Sequence, residues 1–184
     1  MNEKFDRRRK YYVVLDCETA TLPYATDLPE NLKQKVAIAK PLIYDLGWTI
    51  VDKKGNVYAR ENYLITEIFS VPEIFNTAYY ASKRPLYIDK LNKGEIILTD
   101  WRTAAKRLEF ALSIGEAVGA YNAMFDFKKA IPFTELYINQ LYSPSFHKWL
   151  EFQNECCERI VNKTVIRKDK EFEPEIFRFR GQAY

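Results

Sequence analysis

Apolar residues form a continuous run near the beginning of the chain. Residues 11–15 read Tyr-Tyr-Val-Val-Leu with no polar interruption, a pattern that is typical of a central strand covered on both faces of a sheet. Two more segments rich in β-favouring residues flank the stretch "DKKGN", where Gly55 and Asn56 favour a hairpin turn. The pattern therefore predicts three sheet strands early in the chain.

The strongest helical pattern covers residues 99–114. Thr99 or Asp100 can serve as the N-cap, and Gly115 follows as a stop signal. Apolar residues recur on one face of this helix, at Trp101, Ala104, Ala105, Leu108, Ala111 and Leu112. The pattern is that of an amphipathic helix.

The remaining segments give weaker signals. Helical patterns cover residues 30–40, 71–83 and 145–160. A short strand at 116–123 precedes a helix that begins over 124–130, with Pro132 as its expected limit. The charged stretch 162–184 has no clear pattern beyond a possible strand at its end. The order of strands and helices predicts a mixed α/β domain.

Composition is consistent with one domain that has a hydrophobic core. The chain has 184 residues, 47% of them hydrophobic and 15% aromatic. This is enough apolar surface to bury a core, and it argues against disorder. The formal net charge of +3 at pH 7 permits a polyanionic partner without indicating one.

The cysteines and the N-terminal sequence favour a cytoplasmic protein without a membrane partner. Cys17, Cys156 and Cys157 match neither a CxxC metal site nor a disulfide framework. The apolar run at 11–15 is too short for the core of a signal peptide or for a membrane span. We therefore expect a soluble chain in a reducing compartment.

Two acids, Asp16 and Glu18, follow the first predicted strand directly. If the strand continues through them, they point to one side, and Cys17 points to the other as a buried spacer. Two carboxylates held close together repel each other, and a divalent cation such as Mg²⁺ relieves that repulsion. The pair therefore suits half of a metal site, although the same pattern also describes a solvated strand end.

A second group of polar residues lies in the stretch "AYNAMFDFKKA". Asp126 is expected in the first turn of a helix, where the helix dipole favours an anion. Asn122 precedes that helix and can cap it or occupy a turn. Both residues thus have a structural explanation as well as a functional one.

Together these stretches resemble a known family. The stretch "VVLDCETA" looks like the first motif of the DnaQ-like (DEDD) 3′–5′ exonucleases, and "AYNAMFDFKKA" is similar to their second motif, NxxFD. The segment "IYDLGWTIVDKKGNVY" resembles the hairpin that these proteins place between the two motifs. Neither motif is decisive by itself; their order, spacing and strand contexts together make the match specific.

The resemblance covers residues 11–130, with motifs at 13–20 and 120–130. It implies a single exonuclease-like domain over residues 1–184, with a ribonuclease H-like mixed β-sheet flanked by helices. The implied activity is metal-dependent hydrolysis of phosphodiester bonds at the 3′ end of DNA, with single-stranded ends as the expected substrate. DNA 3′ ends are a more natural partner than RNA, and no protein partner is indicated.

The resemblance also implies roles for individual residues. Asp16, Glu18 and Asp126 would be the catalytic ligands of two Mg²⁺ or Mn²⁺ ions, which in such sites lie ~4 Å apart. Asp16 matches the residue that bridges both ions, and Thr19 would help to cradle the terminal nucleotide.

Further nucleic-acid contacts are expected around the second motif. Asn122 and Phe125 would shape the nucleotide pocket. Lys128 and Lys129 follow on the first turns of the predicted helix and are candidates for phosphate contacts, although each also suits an ordinary surface position. The tyrosine-rich stretch 78–87 could stack unpaired bases at the cleft mouth or pack in the core and at its edge.

The chain departs from the family at the fourth acid, which should follow a histidine or tyrosine by four or five residues. His147 has Glu151 four residues later instead of an aspartate, and Asp169 follows Val165 by four. Three explanations are open. In the first and preferred explanation, the chain stops before its last helix. In the second, it is an inactive relative that binds nucleic acid or a protein. In the third, an unusual residue such as Asp169 or Glu173 completes the site.

Overall fold

The structure, a computed structural model, describes residues 5–6, 8–162, 178–179 and 182–183. The strands are β1 (Tyr11–Ala20), β2 (Leu42–Asp52), β3 (Val57–Ile65), β4 (Ile97–Thr99), β5 (Gly115–Ala120), β6 (Arg178–Phe179) and β7 (Gln182–Ala183). The helices are α1 (Glu30–Ala39), α2 (Thr66–Phe69), α3 (Pro72–Phe75), α4 (Arg84–Asn92), α5 (Trp101–Ile114), α6 (Ala123–Phe125), α7 (Ile131–Leu141) and α8 (Phe146–Asn162).

The main sheet has five strands in the order β4-β3-β2-β1-β5. Strands β1, β2 and β3 pair antiparallel in sequence order. Strand β5 is parallel to β1, and β4 is parallel to β3. Strands β6 and β7 form a separate antiparallel pair. The predicted α/β class, a mixed sheet flanked by helices, is therefore confirmed.

Strand β1 is longer than its apolar run. It continues through Asp16 and Glu18 and ends at Ala20, because β2 pairs with it along this whole length. The pairing register shifts between Glu18 and Thr19. The two acids therefore belong to the strand itself.

The hairpin between β2 and β3 is confirmed, and its turn is held by Asp52. One carboxylate oxygen accepts hydrogen bonds from the backbone N–H groups of Lys54 (2.8 Å) and Asn56 (3.0 Å). The other accepts from the hydroxyl of Tyr58 at 2.8 Å. Gly55 has a φ of 83°, a conformation that glycine adopts without steric cost.

Helix α5 forms as its pattern predicts. The Asp100 side chain is the N-cap and accepts from the backbone N–H of Thr103 at 2.9 Å. The predicted apolar face is buried, with no member more than 2% exposed: Trp101, Ala104, Ala105, Leu108, Ala111 and Leu112. This face packs on β1, β2, β3 and β5. Each large side chain buried here contributes about 1.5–3 kcal/mol to folding.

Two helix predictions need correction. Residues 71–83 do not form one helix, because Thr77 leaves the helical path after α3 and hydrogen-bonds to Thr21. Pro132 does not limit the second-motif helix. It lies in the first turn of α7, directly after a π-helical turn over Asp126–Ala130. A first-turn position suits proline. The sequence reading also gave no sign of α4 or of the edge strand β4.

Among the helices of the described residues, none has the length and apolar character that crossing a membrane requires.

Candidate functional site

Asp16 and Glu18 lie in the carboxyl-terminal half of β1. Strand alternation places both side chains on one face, and β2 adds a third acid beside them, since Asp45 pairs directly with Glu18. Asp16 is exposed, whereas Glu18 and Asp45 are partly buried. The sequence reading missed Asp45. The available signal was an acid in the middle of the stretch "LIYDLGW", which is otherwise apolar.

The third predicted acid, Asp126, reaches β1 from the other side. It begins the π-helical turn and is only 4% exposed. Its Oδ1 accepts a hydrogen bond from the Sγ of Cys17 at 2.8 Å. Because Cys17 alternates with Asp16 and Glu18, the Asp126 carboxylate lies towards the opposite face of the strand. Cys17 is therefore more than a buried spacer: it is partly exposed and donates to an acid of the second motif.

The electrostatic coupling of these acids is clearest at Glu18. Burial is the main reason that the pKa of Glu18 rises to about 7; the negative charges of Asp16, Asp45 and Asp126 contribute to that rise, and the charge of Lys83 opposes it. Burial also raises the pKa of Asp126, with Asp16 adding to the rise and the Cys17 hydrogen bond opposing it. The predicted acids therefore share one electrostatic environment at the end of β1.

Asp45 is held in place by its neighbours on the sheet. Burial raises the pKa of its carboxyl, while hydrogen bonds from Asn62 and Tyr87 oppose that rise. The Nδ2 of Asn62 donates to Oδ1 of Asp45 at 2.6 Å. Gly47 makes room for this contact, because a Cβ at that position would lie 2.9 Å from the Asn62 Nδ2.

The acids were tested for a fit to the divalent ions that the family resemblance implies. Within the described part of the chain, no group of three or more His, Cys, Asp or Glu side chains is arranged to hold a metal ion. The donor chemistry nevertheless fits, since carboxylate oxygens are the ligands that Mg²⁺ prefers and a cation would relieve the repulsion at Glu18. To join such ligands, Asp126 would exchange its bond to Cys17 for the cation.

The residues predicted to bind nucleic acid have mixed surroundings. Thr19 is partly exposed just after the register shift in β1. The side-chain oxygen of Asn122 accepts from the backbone N–H of Phe125 at 3.4 Å and caps α6. The Phe125 ring packs against the core. Lys128 is exposed and Lys129 partly exposed. The structural role of Asn122 is thus visible, and the nucleic-acid roles stay predictions.

An open groove lies on the sheet face that carries Asp16. Its volume is about 620 Å³, and its lining includes Asp16, Gly47, Thr49, Arg60, Asn62 and Lys90. Two cationic side chains therefore face the same groove as the exposed acid of the first motif. The groove offers space for a ligand beside Asp16.

Of the residues weighed for the fourth acid, the structure describes only His147 and Glu151. His147 and Glu151 are exposed on α8, a helix that packs on α1 and α7. Asp169 and Glu173 lie outside the described residues, as does Val165. The fourth acid therefore stays unassigned.

Comparison of the chain with family models, with curated proteins and with solved structures gave no match in any of the three. The functional assignment therefore depends on the residues and their geometry.

Proposed function

We propose that this chain is a DnaQ-like exonuclease domain that hydrolyses phosphodiester bonds at the 3′ end of single-stranded DNA. The observation that carries the proposal is the 2.8 Å contact between Oδ1 of Asp126 and Sγ of Cys17, the residue that lies between Asp16 and Glu18. Those three acids come from the two stretches that resemble the family's motifs.

The topology supports the same proposal. Strands β1 and β5 are parallel neighbours, with Leu15 paired to Ala120. The first motif therefore ends at the same edge of the sheet as the strand that leads into the second motif. Ligands of α/β sheets bind at the carboxyl ends of strands. The antiparallel β1–β2–β3 meander with a parallel strand beside β1 is compatible with a ribonuclease H-like fold.

In this proposal Asp16, Glu18 and Asp126 would hold two Mg²⁺ or Mn²⁺ ions. When bound, such ions supply an activated water and neutralise charge on the leaving oxygen. The protein holds the acids on a rigid strand and a helical turn, and Asp126 would leave the Cys17 thiol to bind the ions. Thr19, Asn122 and Phe125 surround the place of the terminal nucleotide, and Lys128 and Lys129 bind its phosphates.

The proposal is tested with a 5′-labelled single-stranded DNA incubated with Mn²⁺. We expect stepwise shortening from the 3′ end. Asp16→Asn should lower the rate at least about 100-fold, the order of loss seen when one preorganised electrostatic contact is removed. Asp27→Asn changes an exposed acid outside the site and should leave the rate unchanged. Equal rates for wild type and Asp16→Asn would contradict the proposal.

A second candidate is an inactive nuclease-fold protein that binds nucleic acid or a protein partner. It is favoured by the bond between Cys17 and Asp126, which occupies one of the required carboxylates. In the same assay, retention of the oligonucleotide without shortening would support this candidate. A parallel reaction with RNA decides the nucleic-acid preference.

A further inference from the structure

Two tyrosines and a lysine form an exposed cluster, here called the tyrosine platform: Tyr79, Tyr80 and Lys83. The Tyr79 side chain is 72% exposed, and its ring centroid lies 4.9 Å from that of Tyr80, in an edge-on arrangement. The Nζ of Lys83 lies 3.7 Å from the centroid of the Tyr80 ring. An aromatic face and a cation are thus presented to solvent side by side.

The platform is fixed to the end of the first motif. The backbone N–H of Thr21 donates to Oγ1 of Thr77 at 2.8 Å, and that hydroxyl lies 3.2 Å from the carbonyl of Thr21. Both threonines are buried. Because Thr21 follows directly after β1 and Thr77 precedes Tyr79 by two positions, these contacts join the segment of the platform to the end of the strand that carries the acids.

A second anchor lies on the other side of the platform. The Nη1 of Arg84 donates to the carbonyl of Phe69 at 3.0 Å, and its guanidinium lies over the rings of Phe69 and Phe75. Arg84 therefore stabilises the fold, whereas the neighbouring Lys83 points its charge to the surface.

Lys83 is exposed, and its ammonium and the Tyr79 ring both lie against the ring of Tyr80. A surface that combines an exposed ring with a nearby cation matches the two parts of a nucleotide, since bases stack on aromatic rings and phosphates pair with cations.

We propose that Tyr79 stacks on an unpaired base and that Lys83 binds the adjoining phosphate, so that the platform guides a single nucleic-acid strand towards Asp16 and Glu18. This proposal rests on the proposed nuclease function for the fate of the strand, and it adds the residues that would select a single strand. The bases of a duplex are stacked on one another, so Tyr79 would discriminate against double-stranded ends.

The test measures binding of a fluorescent oligo(dT) of about 12 nucleotides, a length within the usual range of single-strand sites, by anisotropy in EDTA, which prevents metal-dependent cleavage. Tyr79→Ala should weaken binding roughly 5- to 100-fold, and Tyr79→Phe should restore it. Lys83→Gln should weaken binding and reduce the slope of log K against log salt by about 0.7.

Matched controls separate the platform from general surface effects. Tyr142 is 77% exposed on another part of the surface, and Lys106 is an exposed lysine of α5. Tyr142→Ala and Lys106→Gln should bind as wild type does. Melting temperatures of all variants confirm that each is folded.

The outcomes distinguish the platform from the nuclease activity. If wild type shortens DNA with Mn²⁺ and Tyr79→Ala binds oligo(dT) with the affinity of wild type, the proposed role of the platform is wrong and the proposed nuclease activity stands. If wild type binds through Tyr79 but never shortens DNA, the platform stands and the hydrolysis is wrong. The platform would be overturned if wild type did not bind oligo(dT). It would also be overturned if Tyr79→Ala lost as much affinity for duplex DNA as for single-stranded DNA.

Discussion

Glu18 shows at the residue scale how the candidate site affects the stability of the protein. Its carboxyl group is removed from water and faces other acids, so its pKa rises from 4.5 to about 7. A group whose pKa is raised on folding binds its proton more tightly in the folded state. The stabilisation from that proton is present at low pH and is lost as the pH rises towards 7.

This gives a prediction for Glu18→Gln in metal-free buffer. Between pH 4.5 and about 7 the wild type should lose stability relative to the variant, because only the wild type has to release the proton. Urea denaturation in EDTA at pH 5 and pH 8 measures this. The free energy of unfolding of the variant, relative to that of the wild type, should be higher at pH 8 than at pH 5. Glu73→Gln changes an exposed acid of α3, and its free energy of unfolding should depend on pH as that of the wild type does. If the free energies of unfolding of wild type and Glu18→Gln changed equally with pH, the pKa of the Glu18 carboxyl would not be raised.

Individual residues also mark where sequence reasoning stopped. Asp16, Glu18 and Asp126 were recognisable because their order and spacing resemble known motifs. The contact between Cys17 and Asp126 was not, since it depends on the side from which a helical turn approaches the strand. The place of Asp45 beside Glu18 was not predictable either, because it depends on the register between β1 and β2, which residues 21–41 separate in sequence.

The β2–β3 hairpin shows at the element scale how one side chain holds a turn. Asp52 accepts hydrogen bonds from the backbone of Lys54 and Asn56 and from the side chains of Asn56 and Tyr58. The bonds from Asn56 are the main reason that the pKa of Asp52 falls below its usual value. A lowered pKa gives stability that is present above the unfolded value of 3.8 and is lost as the pH falls below it.

Asp52→Asn should therefore lower the melting temperature at pH 7 and have a smaller effect at pH 3. The amide keeps the shape but loses the charge that strengthens these bonds. Thermal unfolding of wild type, Asp52→Asn and the exposed control Asp27→Asn at both pH values measures the difference. An equal drop at pH 3 and pH 7 would mean that the carboxylate charge does not stabilise the turn.

Elements were predictable where local pattern and packing agree. Helix α5 and the hairpin follow from periodicity, capping and turn residues that lie within each element. Residues 71–83 were not predictable, because the bonds between Thr77 and Thr21 join segments that are distant in sequence. The passage of the helix through Pro132 depends on the π-helical turn before it, which no local pattern indicated.

At the scale of the whole molecule, the topology of the sheet brings the residues of the candidate site together. Cys17 and Asp126 are 109 positions apart in sequence, and the parallel pairing of β1 with β5 brings their segments together. The groove offers space for a ligand beside Asp16, and the contacts between Thr21 and Thr77 join the tyrosine platform to the end of β1. The sequence predicted the mixed sheet, the motif positions and the tyrosine-rich stretch 78–87 as a candidate for base stacking, whereas the groove and Asp45 required the three-dimensional arrangement.

The central claim is that Asp16, Glu18 and Asp126 act together on divalent cations, and anomalous diffraction from a crystal soaked in Mn²⁺ tests it most directly. We predict Mn²⁺ peaks within about 2.5 Å of oxygens from all three acids, with the Asp126 carboxylate turned away from Cys17. A crystal in which Mn²⁺ binds elsewhere, while Asp126 keeps its bond to Cys17, would contradict the account.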